Sequence, residues 1–147
     1  MMKKQLLYLL IGVASLSAGC MKDNDSDVTP VAAPQGSFSG QFIRIHLNRT
    51  TNKRDTIKLP IGLEMVNNTF KITGDTTKHA GSFGTFSYNS SYIQWVDATV
   101  PTGANALNLP KYHLHGIYLY AQDATKLQFQ ASNDTLLYFY DLTKATK

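Results

Sequence analysis

Short segments of alternating apolar and polar residues, separated by turn residues about every ten positions, constrain this chain more than any other feature. Threonine, tyrosine, phenylalanine and isoleucine are frequent in these segments, as suits half-buried pleated surfaces. No stretch beyond residue 38 sustains a 3.6-residue period, so no long helix is expected. The pattern predicts eight strands, at 38–48, 55–65, 68–74, 82–89, 91–97, 111–121, 125–131 and 135–143. A longer connection, residues 98–110 (ATVPTGANALNLP), has room for one helical turn. The expected class is all-β: one antiparallel meander closing into a barrel or sandwich, which removes exposed edges.

The pairing pattern suggests registers. A hairpin centred on Asn52 would pair Leu47 with Ile57, Ile45 with Leu59 and Ile43 with Ile61. That places the aliphatics on one face and sets Arg49 opposite Asp55. Tight tips at Asp123-Ala124 and Asn133-Asp134 would pair Tyr118 with Phe129, Tyr120 with Leu127, Phe129 with Tyr138 and Leu127 with Tyr140. These six residues then share one face. His113, His115, Ile117, Leu119, Gln128, Gln130, Leu137 and Phe139 fall on the other.

The N-terminus is a different kind of segment. Lys3 and Lys4 precede a short apolar run, Leu6 to Leu16, and the small residues Ser17-Ala18-Gly19 precede Cys20, the only cysteine. The run is too short to span a bilayer comfortably and reads as a cleaved signal. It resembles a bacterial lipoprotein signal with Ser17-Ala18-Gly19-Cys20 as lipobox. The resemblance implies residues 1–19 as signal peptide and lipidation at Cys20. Two or more acyl chains there give stable anchoring. Residues 20–37 form a tether with two prolines and small residues, and residues 38–147 form the β domain. Losing the signal leaves 128 residues and lowers the fourteen basic residues to twelve against ten acidic ones, a balance of +2. That is too small, and too scattered, to point to nucleic acid. No thiol then remains for a disulfide or a metal. The run Met21-Lys22-Asp23-Asn24-Asp25 resembles the surface-export signal of Bacteroidota lipoproteins. It implies an outer-membrane, surface-facing location, with a periplasmic-facing one as the alternative.

The folded segment resembles the small lipocalin-like lipoproteins of Bacteroidota. The resemblance is carried by Leu114-His115-Gly116-Ile117-Tyr118-Leu119-Tyr120, by Leu127-Gln128-Phe129, and by the terminal Tyr138-Phe139-Tyr140-Asp141-Leu142-Thr143-Lys144. It implies a lipocalin-like barrel and a binding role without a cofactor.

Candidate chemistry is sparse. His113 and His115, two apart on a predicted strand, share a face as paired metal ligands must, but a third ligand is missing. Glu64 is the only glutamate, and Asp97 and Asp141 are the least loop-like of the acids. No Gly-x-Ser-x-Gly elbow, phosphate loop or His-Glu-x-x-His helix occurs. The rings of Tyr118, Tyr120, Phe129, Tyr138 and Tyr140 either line a ligand cavity or fill the core. Asp55-Thr56-Ile57, Asp75-Thr76-Thr77 and Asp134-Thr135-Leu136 resemble the O-glycosylation motif of Bacteroidota exported proteins, which marks Thr56, Thr76 and Thr135. The combined expectation is a non-enzymatic, membrane-anchored module binding a small apolar or glycan ligand or an outer-membrane protein partner. The alternatives are an envelope or glycan hydrolase and a structural accessory subunit.

Overall fold

Alternating apolar residues form eight strands in the computed structural model, which describes residues 32–101 and 109–146. They are β1 (Gly36–Asn48), β2 (Lys53–Val66), β3 (Thr69–Gly74), β4 (Phe83–Tyr88), β5 (Tyr92–Asp97), β6 (Gly116–Gln122), β7 (Lys126–Ser132) and β8 (Leu136–Lys144). Each pairs antiparallel with the next, and β8 returns to pair with β1. The meander is a closed barrel rather than a sandwich. The signal, Cys20 and most of the tether lie outside the described residues, as does 102–108. No described residue of the β5–β6 connection is helical.

Turn chemistry at the tips follows one rule. A short polar side chain accepts the backbone N–H groups two and three residues on, which closes the turn locally. Asn89 accepts from Ser91 and Tyr92 at 2.9 and 2.8 Å, Asp123 from Thr125 and Lys126 at 2.7 Å each, and Asn133 from Thr135 and Leu136 at 3.1 and 2.9 Å. The β2–β3 tip is instead a two-residue turn, Asn67-Asn68, with both φ angles positive at 48° and 62°. Asparagine tolerates that region, and such turns match the twist of paired strands.

Asn48 sets the first hairpin by the same device, accepting from Thr50 and Thr51 at 3.0 and 3.1 Å. The turn therefore centres between Thr50 and Thr51, and Asn48 pairs with Lys53. Phe42 pairs with Leu59 and Arg44 with Ile57, three positions from the register that aliphatic matching predicts. An odd shift inverts the face. Phe38, Phe42, Arg44 and His46 point into the barrel with Ile57, Leu59, Ile61 and Leu63, while Ile43, Ile45 and Leu47 turn outward. Ile43 and Ile45 sit there against Phe139 and Leu137 of β8. Arg49 does not face Asp55; Arg44 holds Asp55 at 3.0 Å, and Arg49 reaches Asp134.

The last three strands pair two positions from expectation: Tyr120 with Phe129, Phe129 with Tyr140 and Leu127 with Leu142. An even shift preserves faces, so Tyr118, Tyr120, Leu127, Phe129, Tyr138 and Tyr140 all point inward as expected. β6 starts at Gly116, not at 111, because Gly116 takes φ +103° and breaks the extended run. His113 and His115 therefore lie in the preceding connection rather than on a strand.

The middle of the barrel is filled. Phe42, Leu63, Trp95, Leu127, Phe129 and Tyr140 are fully or almost fully buried. Phe129 stacks on Tyr140 with centroids 4.4 Å apart, and Trp95 lies 5.1 Å from Phe129. Each such side chain contributes roughly 1.5–3 kcal/mol by burial. Gly40 lets β8 close against β1, since a Cβ there would overlap the Asp141 carbonyl.

Candidate functional site

The two ends of the barrel differ in how they close. The chain enters at Gly36, at the end that also holds the β2–β3, β4–β5 and β6–β7 tips. There Pro34 is buried and Gln122 donates to the Ala32 carbonyl. The opposite end carries two long connections, 75–82 and 98–115. They run side by side: Ala80 N–H donates to the Tyr112 carbonyl at 2.7 Å, and Tyr112 N–H donates to Lys78 at 2.9 Å. This pair plugs part of the mouth with His79, Ala80, Ser82 and Leu114, all buried.

His79 anchors the plug to the core. Its Nδ1 meets the Ala80 carbonyl at 2.7 Å, and a carbonyl only accepts, so Nδ1 carries the proton. Its Nε2 then accepts from the Tyr140 hydroxyl at 2.8 Å. Burial holds His79 below its ordinary pKa of 6.5 and raises Tyr140 well above the usual phenol value.

Beside the plug the mouth stays open as a recess of about 650 Å³. β1 supplies Arg44 and His46, the connection supplies Lys111, Tyr112, His113 and His115, and the last strands supply Tyr118, Ala131 and Tyr138. Arg44 lies over the Tyr112 ring at 5.6 Å, within cation–π range. The inward turn of Arg44 and His46 follows from the hairpin that Asn48 closes, and aliphatic matching does not find it.

A hydrogen-bond cluster fixes the recess wall. Asp97 ends β5 with its side chain fully buried. It accepts from Thr99 N–H and Oγ1 at 2.7 and 2.6 Å, from Ser82, and from His113 Nδ1 at 2.8 Å. Burial pushes its carboxyl up, but those donors outweigh it and hold the pKa below the ordinary value. The Asp97 N–H donates in turn to His115 Nδ1 at 3.2 Å. The only sequence signal for the cluster is Asp97-Ala98-Thr99, the same Asx-x-Ser/Thr turn that builds the tips.

The sequence candidates thus scatter. Tyr118 and Tyr138 border the recess, while Phe129 and Tyr140 are packed core. Tyr120 faces the other end, its hydroxyl donating to the Asn89 carbonyl at 2.7 Å. His113 and His115 both border the recess, but among the described residues no three His, Cys, Asp or Glu side chains are placed to hold a metal. Thr76 and Thr135 lie in turns, and Thr56 lies inside β2 rather than at a turn.

The outer face carries its own feature. Tyr92, Val96, Ile117 and Leu119 on β5 and β6 are exposed large apolar side chains. Tyr92 pairs directly with Leu119.

Comparison with family models, with curated proteins and with solved structures finds no match, so the site rests on its own geometry.

Proposed function

We propose that the chain is a lipid-anchored, lipocalin-like envelope protein of the outer membrane that binds a small ligand at the open end of its barrel without transforming it. The observation that carries this is the recess of about 650 Å³, which is of the size that takes small molecules. Phe129 and Tyr140 are packed core, whereas Tyr118 and Tyr138 reach the recess, which puts the binding place at the mouth. The described chain enters the barrel at the end opposite the recess.

The Asp97–His113 pair has the wiring of a general base, yet neither hydroxyl of its cluster is placed as a nucleophile. Both hydroxyls of the cluster, Ser82 and Thr99, sit on the Asp97 side, and Ser82 is fully buried. That arrangement favours binding over covalent catalysis through either hydroxyl.

The test is native mass spectrometry of full-length protein extracted from membranes, beside an Ala131→Trp variant. Ala131 borders the recess with no polar role, so the indole blocks it. A bound small molecule lost in the variant supports the proposal; an empty protein, or a ligand unaffected by the block, refutes it. Membrane retention of Cys20→Ser would refute the anchor separately.

The exposed apolar face of β5 and β6 favours a second reading, an accessory subunit held by a protein partner. Solubilised complexes that survive Ala131→Trp but dissociate with Val96→Lys would favour it.

A further inference from the structure

We infer that the recess is built for an acidic sugar: a ring bearing several hydroxyls and one anionic group, carboxylate or phosphate. This rests on the recess being the binding site.

The charges that reach the recess have one sign. Arg44 and Lys111 border it, and no described carboxylate does. Asp97 is buried behind His113, and Asp55 is engaged by Arg44 at 3.0 Å. Arg44 spends one N–H donor on Asp55 and keeps others. Lys111 Nζ donates to the Thr76 carbonyl at 2.8 Å and, like Arg44, keeps further donors, so an anionic group at the recess edge gains charge-assisted bonds that a cationic one does not.

The two histidines add polarity of a more specific kind. A carboxylate accepts only, so His113 keeps its proton on Nδ1 and, when neutral, leaves Nε2 as an acceptor. His115 is fixed the other way. Its Nδ1 accepts the Asp97 N–H, so the neutral ring carries its proton on Nε2. One acidic residue, through its side chain and its backbone, thus sets one acceptor and one donor two residues apart. A simple carboxylate or an aliphatic chain offers nothing to His113 Nε2. A hydroxyl both donates to it and accepts from His115. Among the described residues the Tyr112 and Tyr138 hydroxyls donate to no protein acceptor, and both tyrosines border the recess. Their rings, with centroids 5.9 Å apart and planes tilted by 59°, add aromatic surface against which the apolar side of a sugar can pack.

The experiment is calorimetric titration of the full-length protein in detergent with four probes: glucuronate, glucose 6-phosphate, glucose and hexanoate. The expected result is that both acidic sugars bind at least about tenfold more tightly than glucose and than hexanoate, one charge-assisted bond or one hydroxyl pair accounting for each step. Arg44→Met should remove the advantage over glucose, and His113→Phe the advantage over hexanoate. A circular dichroism melt confirms that each variant folds. If Arg44→Met unfolds, Lys111→Met carries the same test. Preference for glucuronate or for glucose 6-phosphate separates the two anionic sources. Equal binding of glucose and glucuronate, or of hexanoate and glucuronate, overturns the inference and leaves a recess that binds ligands. Binding of no probe overturns it as well, and an empty native spectrum from the membrane-extracted protein would then refute the recess as a binding site altogether.

Discussion

The middle of the barrel and its open mouth are built from the same strands and carry opposite physics. At the level of Phe42, Trp95, Phe129 and Tyr140 the rings interlock and leave no room. Two to four residues further along, β1 presents Arg44 and His46, β7 presents Ala131, and β8 presents Tyr138 around open space. The middle specifies the fold through dispersion and burial, whereas the mouth is held by directional hydrogen bonds from Asp97 and His79. Stability and recognition are therefore separable along one axis, and each region can be damaged alone.

The largest expected effect is in the middle. Phe129→Ala removes the ring stacked on Tyr140 and should cost about 3–5 kcal/mol, read from denaturant unfolding. A loss under about 1 kcal/mol would mean that the core relaxes freely and the contrast is false. Next comes the wall of the mouth. Asp97→Ala strands the donors of Ser82, Thr99 and His113 and should cost about 2–3 kcal/mol while freeing His113 to change tautomer; His115, held by the backbone N–H at position 97, should keep its own.

Acid should weaken the plug before the core. His79 is held below 6.5 in the folded chain, so the unfolded chain binds its proton more readily. Stability is full above about pH 6.5 and falls as pH drops below it, and Asp97, held below 3.8, adds a second loss further down. Unfolding midpoints measured from about pH 7.5 to about pH 5 should decline, and His79→Phe should flatten that decline. A decline unchanged in the variant would assign it elsewhere. The smallest effect is at the tips: Asp134→Ala breaks an exposed pair with Arg49 and should leave the midpoint unchanged within error.

Much of the barrel was legible in the sequence, and the misses have a common cause. Alternation located all eight strands and the inward face of β6 to β8, since a slip of two residues moves no side chain across the sheet. It misled at β1, where Ile43, Ile45 and Leu47 look like core but pack outside against β8. Aliphatic matching treats every apolar stripe as interior, and a barrel with an apolar outer strip defeats it. The turn residues held the missing information. Asn48-Arg49-Thr50, Asn89-Ser90-Ser91, Asp97-Ala98-Thr99, Asp123-Ala124-Thr125 and Asn133-Asp134-Thr135 all close the same side-chain turn. Reading Asn48 as that turn would have set the register and turned Arg44 and His46 inward. The Asp97–His113 contact joins residues from two elements through an irregular connection, and no spacing rule reaches it.

The most direct measurement uses the four histidines, of which His46, His113 and His115 border the recess and His79 is buried in the plug. Long-range ¹H–¹⁵N spectra of the full-length protein report the tautomer of each ring. Nδ1 protonation at His79 and at His113, Nε2 protonation at neutral His115, and glucuronate-induced shifts at the three recess rings with His79 unmoved are the expected result. The opposite tautomers at His113 and His115, or shifts at His79 with the recess rings silent, would contradict a polar recess set apart from a filled core.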